Sequence, residues 1–154
     1  GAASTRDELI DGLETVRAGC AEGRLLGGNL SLVASMIGSD FCPDLNDAIV
    51  FLEDVGEEDY RLDRLFTTLR LSPKSQRPAG IVLGAFSECG GAFFDDDEIR
   101  DLVAELAGEF DCPVVSRAPV GHAGENHPLP FGVHARLDAD RGVLEFERDA
   151  IESA

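Results

Sequence analysis

Five apolar residues in unbroken succession, Ala48-Ile49-Val50-Phe51-Leu52, constrain this chain more than any other feature. A run this short cannot cross a membrane, and without polar alternation it has no face to offer to water. It reads as a strand buried on both sides, which requires other elements packed on each face of its sheet. Ile81-Val82-Leu83, closed by Gly84, repeats the pattern, and Val114-Val115 makes a third short strand. Between the first two, Leu62, Leu65, Phe66 and Leu69 recur at helical spacing, with Asp59 placed to cap the start. Between the second and third, Ile99, Leu102, Val103 and Leu106 share one helical face. The acidic cluster Asp95-Asp96-Asp97-Glu98 stands where a helix dipole favours negative charge, so it reads as a cap and not a calcium site.

The flanks complete the pattern. Asn29, after Gly27-Gly28, is placed to cap a short helix running to Ile37 and stopped by Gly38. Val133, Ala135 and Leu137, then Leu144 and Phe146, alternate on either side of Asp138-Ala139-Asp140-Arg141-Gly142, which predicts an antiparallel hairpin. Residues 4–16 fit either a helix or a linker. Strand, helix, strand, helix, strand and hairpin predict a mixed α/β domain.

At 154 residues the chain has the size of one domain. Its net charge of −17 is spread along the sequence, which argues against nucleic acid and against anionic membrane surfaces as partners. Cys20, Cys42, Cys89 and Cys112 form no C-x-x-C pair and are too few for a disulfide framework, which fits a reducing cytoplasm. His122, His127 and His134 have no zinc-ligand spacing, so neither a metal nor a cofactor is expected.

Two places carry chemistry. Glu53-Asp54 ends the first buried strand, and in parallel α/β sheets the carboxyl ends of strands form the ligand crevice. His122, in Pro119-Val120-Gly121-His122-Ala123-Gly124, follows the third strand between glycines that permit close approach. A histidine suits general-base work near neutral pH, and a carboxylate on its far nitrogen would orient it. Asn29 either caps its helix or reaches a cleft. Arg61 and Arg64, one helical turn apart, have Glu57, Glu58 and Asp63 as ordinary ion-pair partners. Ile37-Gly38-Ser39-Asp40 has the letters of a nucleophile turn, but it follows a helix, whereas an elbow needs strand, turn and helix in that order.

A family resemblance sharpens this. Residues 25–32 (LLGGNLSL), Pro43-Asp44-Leu45, residues 50–57 (VFLEDVGE) and residues 60–65 (YRLDRL) resemble the L,D-carboxypeptidases, or muramoyltetrapeptide carboxypeptidases. The similarity continues through Gly80-Ile81-Val82-Leu83-Gly84 and Gly121-His122 to Leu129-Pro130-Phe131-Gly132, in family order. The resemblance implies a small β/β/α sandwich-like, swivelling-type domain with a mixed sheet and a C-terminal hairpin. It also implies a Ser-His-Glu triad in which Glu53 and His122 match the glutamate and histidine, with no nucleophile in this chain. The serine would come from an N-terminal domain, leaving residues 19–154 as the C-terminal domain and residues 1–18 as a linker or tag remnant.

The activity so implied is a cytoplasmic serine peptidase that removes the terminal D-alanine from murein tetrapeptides in cell-wall recycling. It would be inert as this chain alone and a homodimer when full length. Two alternatives are a same-family peptidase acting on peptide-nucleotide antibiotics and a stand-alone, non-catalytic binding domain. The sequence departs from the family pattern at Ala123-Gly124-Glu125 and His127-Pro128, which bears on substrate contacts in that loop.

Overall fold

The computed structural model describes residues 8–121 and 126–147. The apolar run falls at the start of β4 (Ile49–Val55), and its residues alternate between two cores. Val50 and Leu52 enter one cluster, while Ile49 and Phe51 enter the other. β5 (Gly80–Ser87) and β6 (Val114–Ser116) repeat the division, with Ile81, Leu83 and Val114 on one side and Val82 and Val115 on the other. The expectation of strands buried on both faces therefore holds. β5 does not stop at Gly84 as expected. A side chain there would stand 2.5 Å from the Val120 carbonyl oxygen and 2.6 Å from the Phe51 ring, so the glycine marks a close approach inside the strand.

Three helices form a layer over one face. α1 (Leu30–Met36), α2 (Asp59–Leu71) and α3 (Asp96–Gly108) connect the strands and send Val33, Phe66 and Val103 into the same core. Asn29 caps α1, its side chain accepting from the Leu32 N–H. α3 opens on a capping box in which Asp95 and Glu98 satisfy each other's backbone N–H, so the acidic cluster acts as a helix start. α2 departs by one residue: Glu58 is its N-cap, with no side-chain hydrogen bond, and Asp59 is its first helical residue.

The longest strand was hidden in the sequence. β3 (Cys20–Asn29) contains three glycines and only two large apolar residues. Its second half runs parallel to β4, and its first half runs antiparallel to β7 (His134–Asp138). β7 turns into β8 (Val143–Phe146), the expected hairpin. β3 thus joins a parallel sheet to an antiparallel one. The second core, with Phe51, Leu137, Leu144 and Phe146, fills the space between them and gives the β/β/α layering.

Residues 8–17, expected as helix or linker, instead form β1 (Glu8–Ile10) and β2 (Glu14–Arg17). β1 pairs with β8 and β2 with β6, at opposite ends of the eight-strand order β1-β8-β7-β3-β4-β5-β6-β2. Only three residues link them, and such a link spans roughly 14 Å at full extension, so the two ends of the sheet curl towards each other. The Leu13 N–H donates to the Gly142 carbonyl across the junction. The helix-like spacing of Leu9, Leu13 and Val16 has another cause: Leu13 enters the core between the sheets, and Val16 packs against the helix side.

Candidate active site

Alternation along β4 separates its two terminal carboxylates. Glu53 continues the face of Ile49 and Phe51, and Asp54 continues the face of Val50 and Leu52. β5 carries an extra residue opposite this point, since Leu52 pairs with Leu83 and Asp54 with Phe86. A bulge of this kind bends the strand and re-aims its side chains at the rim of the sheet. Both carboxylates are nearly covered, at 7 % exposure for Glu53 and 2 % for Asp54.

Glu53 borders an open cleft of about 380 Å³ lined by Gly28, Phe51, Gly121, His127, Leu129 and Phe131, among others. The Phe51 and Phe131 rings lie 6.2 Å apart along it. Gly121 packs directly on Glu53, and its φ of +117° suits only glycine. A β-carbon there would stand 3.2 Å from both Cβ and Oε2 of Glu53. Gly121, the residue before His122 in the sequence, is thus in contact with the carboxylate. His122 itself, with Ala123, Gly124 and Glu125, lies outside the described residues. Asn126 ties the far side of that loop back, its Oδ1 accepting from the Gly121 N–H at 3.2 Å. The His127 N–H donates to the Pro119 carbonyl at 2.7 Å, and its Nδ1 lies 3.1 Å from the Pro128 carbonyl.

Asp54 sits in the opposite situation. Its Oδ1 accepts from Asn29 Nδ2 at 3.1 Å and from the Val55 N–H at 2.8 Å. Its Oδ2 accepts from the Ser31 N–H at 2.9 Å and the Ser31 hydroxyl at 2.6 Å. That hydroxyl also lies 2.9 Å from Glu57 Oε1, so one proton serves two carboxylates. Asp54 thus locks the end of β4 to the start of α1. Asn29 belongs to this lock: one end of its amide caps α1 and the other holds Asp54.

The remaining candidates have local partners. The Ser39 hydroxyl donates to the Met36 carbonyl at 2.7 Å in the turn after α1, outside any strand-turn-helix elbow. Arg61 approaches Glu57 at 3.7 Å, and Arg64 lies over the Tyr60 ring. His134 is on β7 beside Glu22. Cys20, Asp138 and Asp140 gather near the start of β3. Nine residues of extended chain, roughly 30 Å, separate that end from Asn29, the register partner of Glu53. Partial desolvation, then the Asp138 carboxylate, raise the Cys20 thiol above its ordinary value, which disfavours the thiolate a metal would need. The Ser31–Asp54 lock and the Asn126 tie were missed in the sequence. Alternation along β4 was the available signal for the first, and nothing local marked the second.

Comparisons with known proteins bear on the whole domain. Residues 22–137 match the family described as LD-carboxypeptidase C-terminal domain. The murein tetrapeptide carboxypeptidase of Pseudomonas aeruginosa is 33 % identical over 123 residues, covering 78 % of this chain and 39 % of that protein. The microcin C7 self-immunity protein MccF of Escherichia coli is 30 % identical over 126 residues, covering 80 % of this chain and 36 % of that protein. The crystal structure of muramoyltetrapeptide carboxypeptidase from Oxalobacter formigenes superposes with a TM-score of 0.78 at 28 % identity, over 94 % of this chain and 52 % of that one. Three further curated relatives are covered over only 42 to 47 % of their own length, so the chain spans less than half of each of them.

Proposed function

This chain belongs to the LD-carboxypeptidase family as its C-terminal domain, and on that premise we propose that it supplies the glutamate and histidine of a Ser-His-Glu peptidase. The observation that supports the proposal is the packing of Gly121, the residue before His122 in the sequence, on Glu53 at the rim of the cleft. The nucleophilic serine and the N–H donors of the oxyanion hole would come from the N-terminal domain. The greater length of the relatives supports a further domain.

In this reading His122 takes the serine proton as the hydroxyl attacks the scissile carbonyl, then returns it to the departing amine. Glu53 holds the imidazole in one tautomer and stabilises its cationic form. Phe51, Leu129 and Phe131 keep the cleft beside Glu53 apolar, which strengthens that ion pair as substrate excludes water. The substrate proposed is a murein tetrapeptide losing its terminal D-alanine, in the cytoplasm, with the full-length protein a homodimer. The similarity to MccF favours one second reading, a peptide-nucleotide substrate handled by the same residues.

The test joins this chain to an N-terminal domain of the family and measures D-alanine release from murein tetrapeptide, with a peptide-nucleotide in parallel. Hydrolysis is expected only from the two-domain protein. Turnover by the 154-residue chain alone would overturn the proposal, as would a properly folded two-domain protein that cleaves neither substrate.

A further inference from the structure

We infer that the cavity between β5, β6 and α3 is a binding site for a short zwitterionic peptide, a reading independent of the proposed peptidase activity. The cavity measures about 470 Å³, a volume in the range of small-ligand sites. Its apolar floor is Leu83, Phe86 and Val103. Leu83 and Val103 belong to the helix-side core, so the cavity lies on the opposite face of the sheet from Phe51 and Glu53.

Its polar groups carry both signs. Arg100 and Arg117 bring two guanidinium groups, and Glu88 and Asp96 bring two carboxylates. Each arginine is held by a single carboxylate at 2.6 Å, Arg100 through Nη1 to Asp97 and Arg117 through Nε to Glu14. The forks are thus oriented, and their other N–H donors remain available to a ligand carboxylate. Ser116 lines the same wall. Its residue is only 4 % exposed.

The backbone agrees. Three non-glycine residues among those described have positive φ, and two of them, Glu88 at 52° and Arg117 at 63°, border this cavity. Charged side chains are kept where glycine would be unstrained, a pattern found at ligand sites. Opposite charges over an apolar floor fit a molecule with one carboxylate, one ammonium and an apolar side chain between them.

The experiment is a ¹⁵N NMR titration of the 154-residue chain with the dipeptide alanyl-leucine, its N-acetyl form and its C-terminal amide. The free dipeptide is expected to shift the amides of Gly84, Ser87, Arg100 and Ser116, and each blocked form to bind at least about tenfold more weakly. R117G removes a guanidinium at a position where glycine is relaxed, and R100Q removes the other from an exposed helix face. Each is expected to weaken binding about tenfold in a chain whose spectrum remains folded. Absence of shifts at these four amides up to about 20 mM dipeptide would overturn the site. Equal binding of the blocked forms, or unchanged binding in both variants, would overturn the zwitterion assignment.

Discussion

Glu53 and Asp54 are neighbours in sequence, both acidic and both nearly buried, yet the two faces of β4 use them in opposite ways. Asp54 accepts from two backbone N–H groups, an amide and a hydroxyl, all within its own domain. Glu53 stands at the rim of a cleft, against a glycine and beside a loop. A carboxylate so fully occupied serves architecture, while Glu53 borders an opening. The comparison explains why an acidic pair can end a buried strand: the first residue faces the cleft and the second fastens the strand that carries it.

The largest effect separates the two by activity. E53Q in a two-domain protein is expected to lower kcat by about 10³- to 10⁴-fold with the melting temperature nearly unchanged, measured by D-alanine release and calorimetry. An equal loss of activity and stability would erase the distinction. D54A is expected to do the reverse in this chain, costing about 3 kcal/mol of unfolding free energy in urea, because several donors lose their acceptor.

Alkaline pH sharpens the comparison on the sealed side. Burial pushes the Cys112 thiol up to about 11 from its ordinary 9.0, and burial also raises Cys89, near Asp54 and Glu57. A raised thiol pKa favours the neutral form in the fold. The stability it contributes is therefore present below pH 9 and is lost as the pH rises towards 11. Urea denaturation across that window should show a fall of about 1–2 kcal/mol, with partial solvent screening taken into account, and C112A should reduce it. The smallest effect is expected from N126A, about 1 kcal/mol or less, confined to the Gly121 hydrogen bond and read from amide exchange at that residue.

The parts of the fold that were legible were those with one dominant signal. The runs at Ile49–Leu52 and Ile81–Leu83 could only be strands between two layers, and Asn29 and Asp95 capped helices whose apolar faces were already periodic. β3 was illegible because Gly23, Gly27 and Gly28 remove the side chains that would mark it. β1 and β2 were illegible because Leu9, Leu13 and Val16 have helical spacing, while Leu13 and Val16 serve different cores and Leu9 is exposed. The position of Glu53 towards the end of a buried strand was legible from the apolar run before it. The role of Asn29 was left open between cap and cleft, and its amide is engaged with Leu32 and Asp54. The Ser31–Asp54 lock depends on α1 lying over the end of β4, a tertiary fact with no local signature.

The proposed pairing of Glu53 with His122 can be tested directly. An NMR pH titration of the His122 ring in this chain, with and without E53Q, reports whether the carboxylate acts on that imidazole. The account predicts that E53Q lowers the His122 pKa by about one unit or more, while D54N, on the other face of the strand, leaves it nearly unchanged. A His122 pKa that stays the same in E53Q would contradict it.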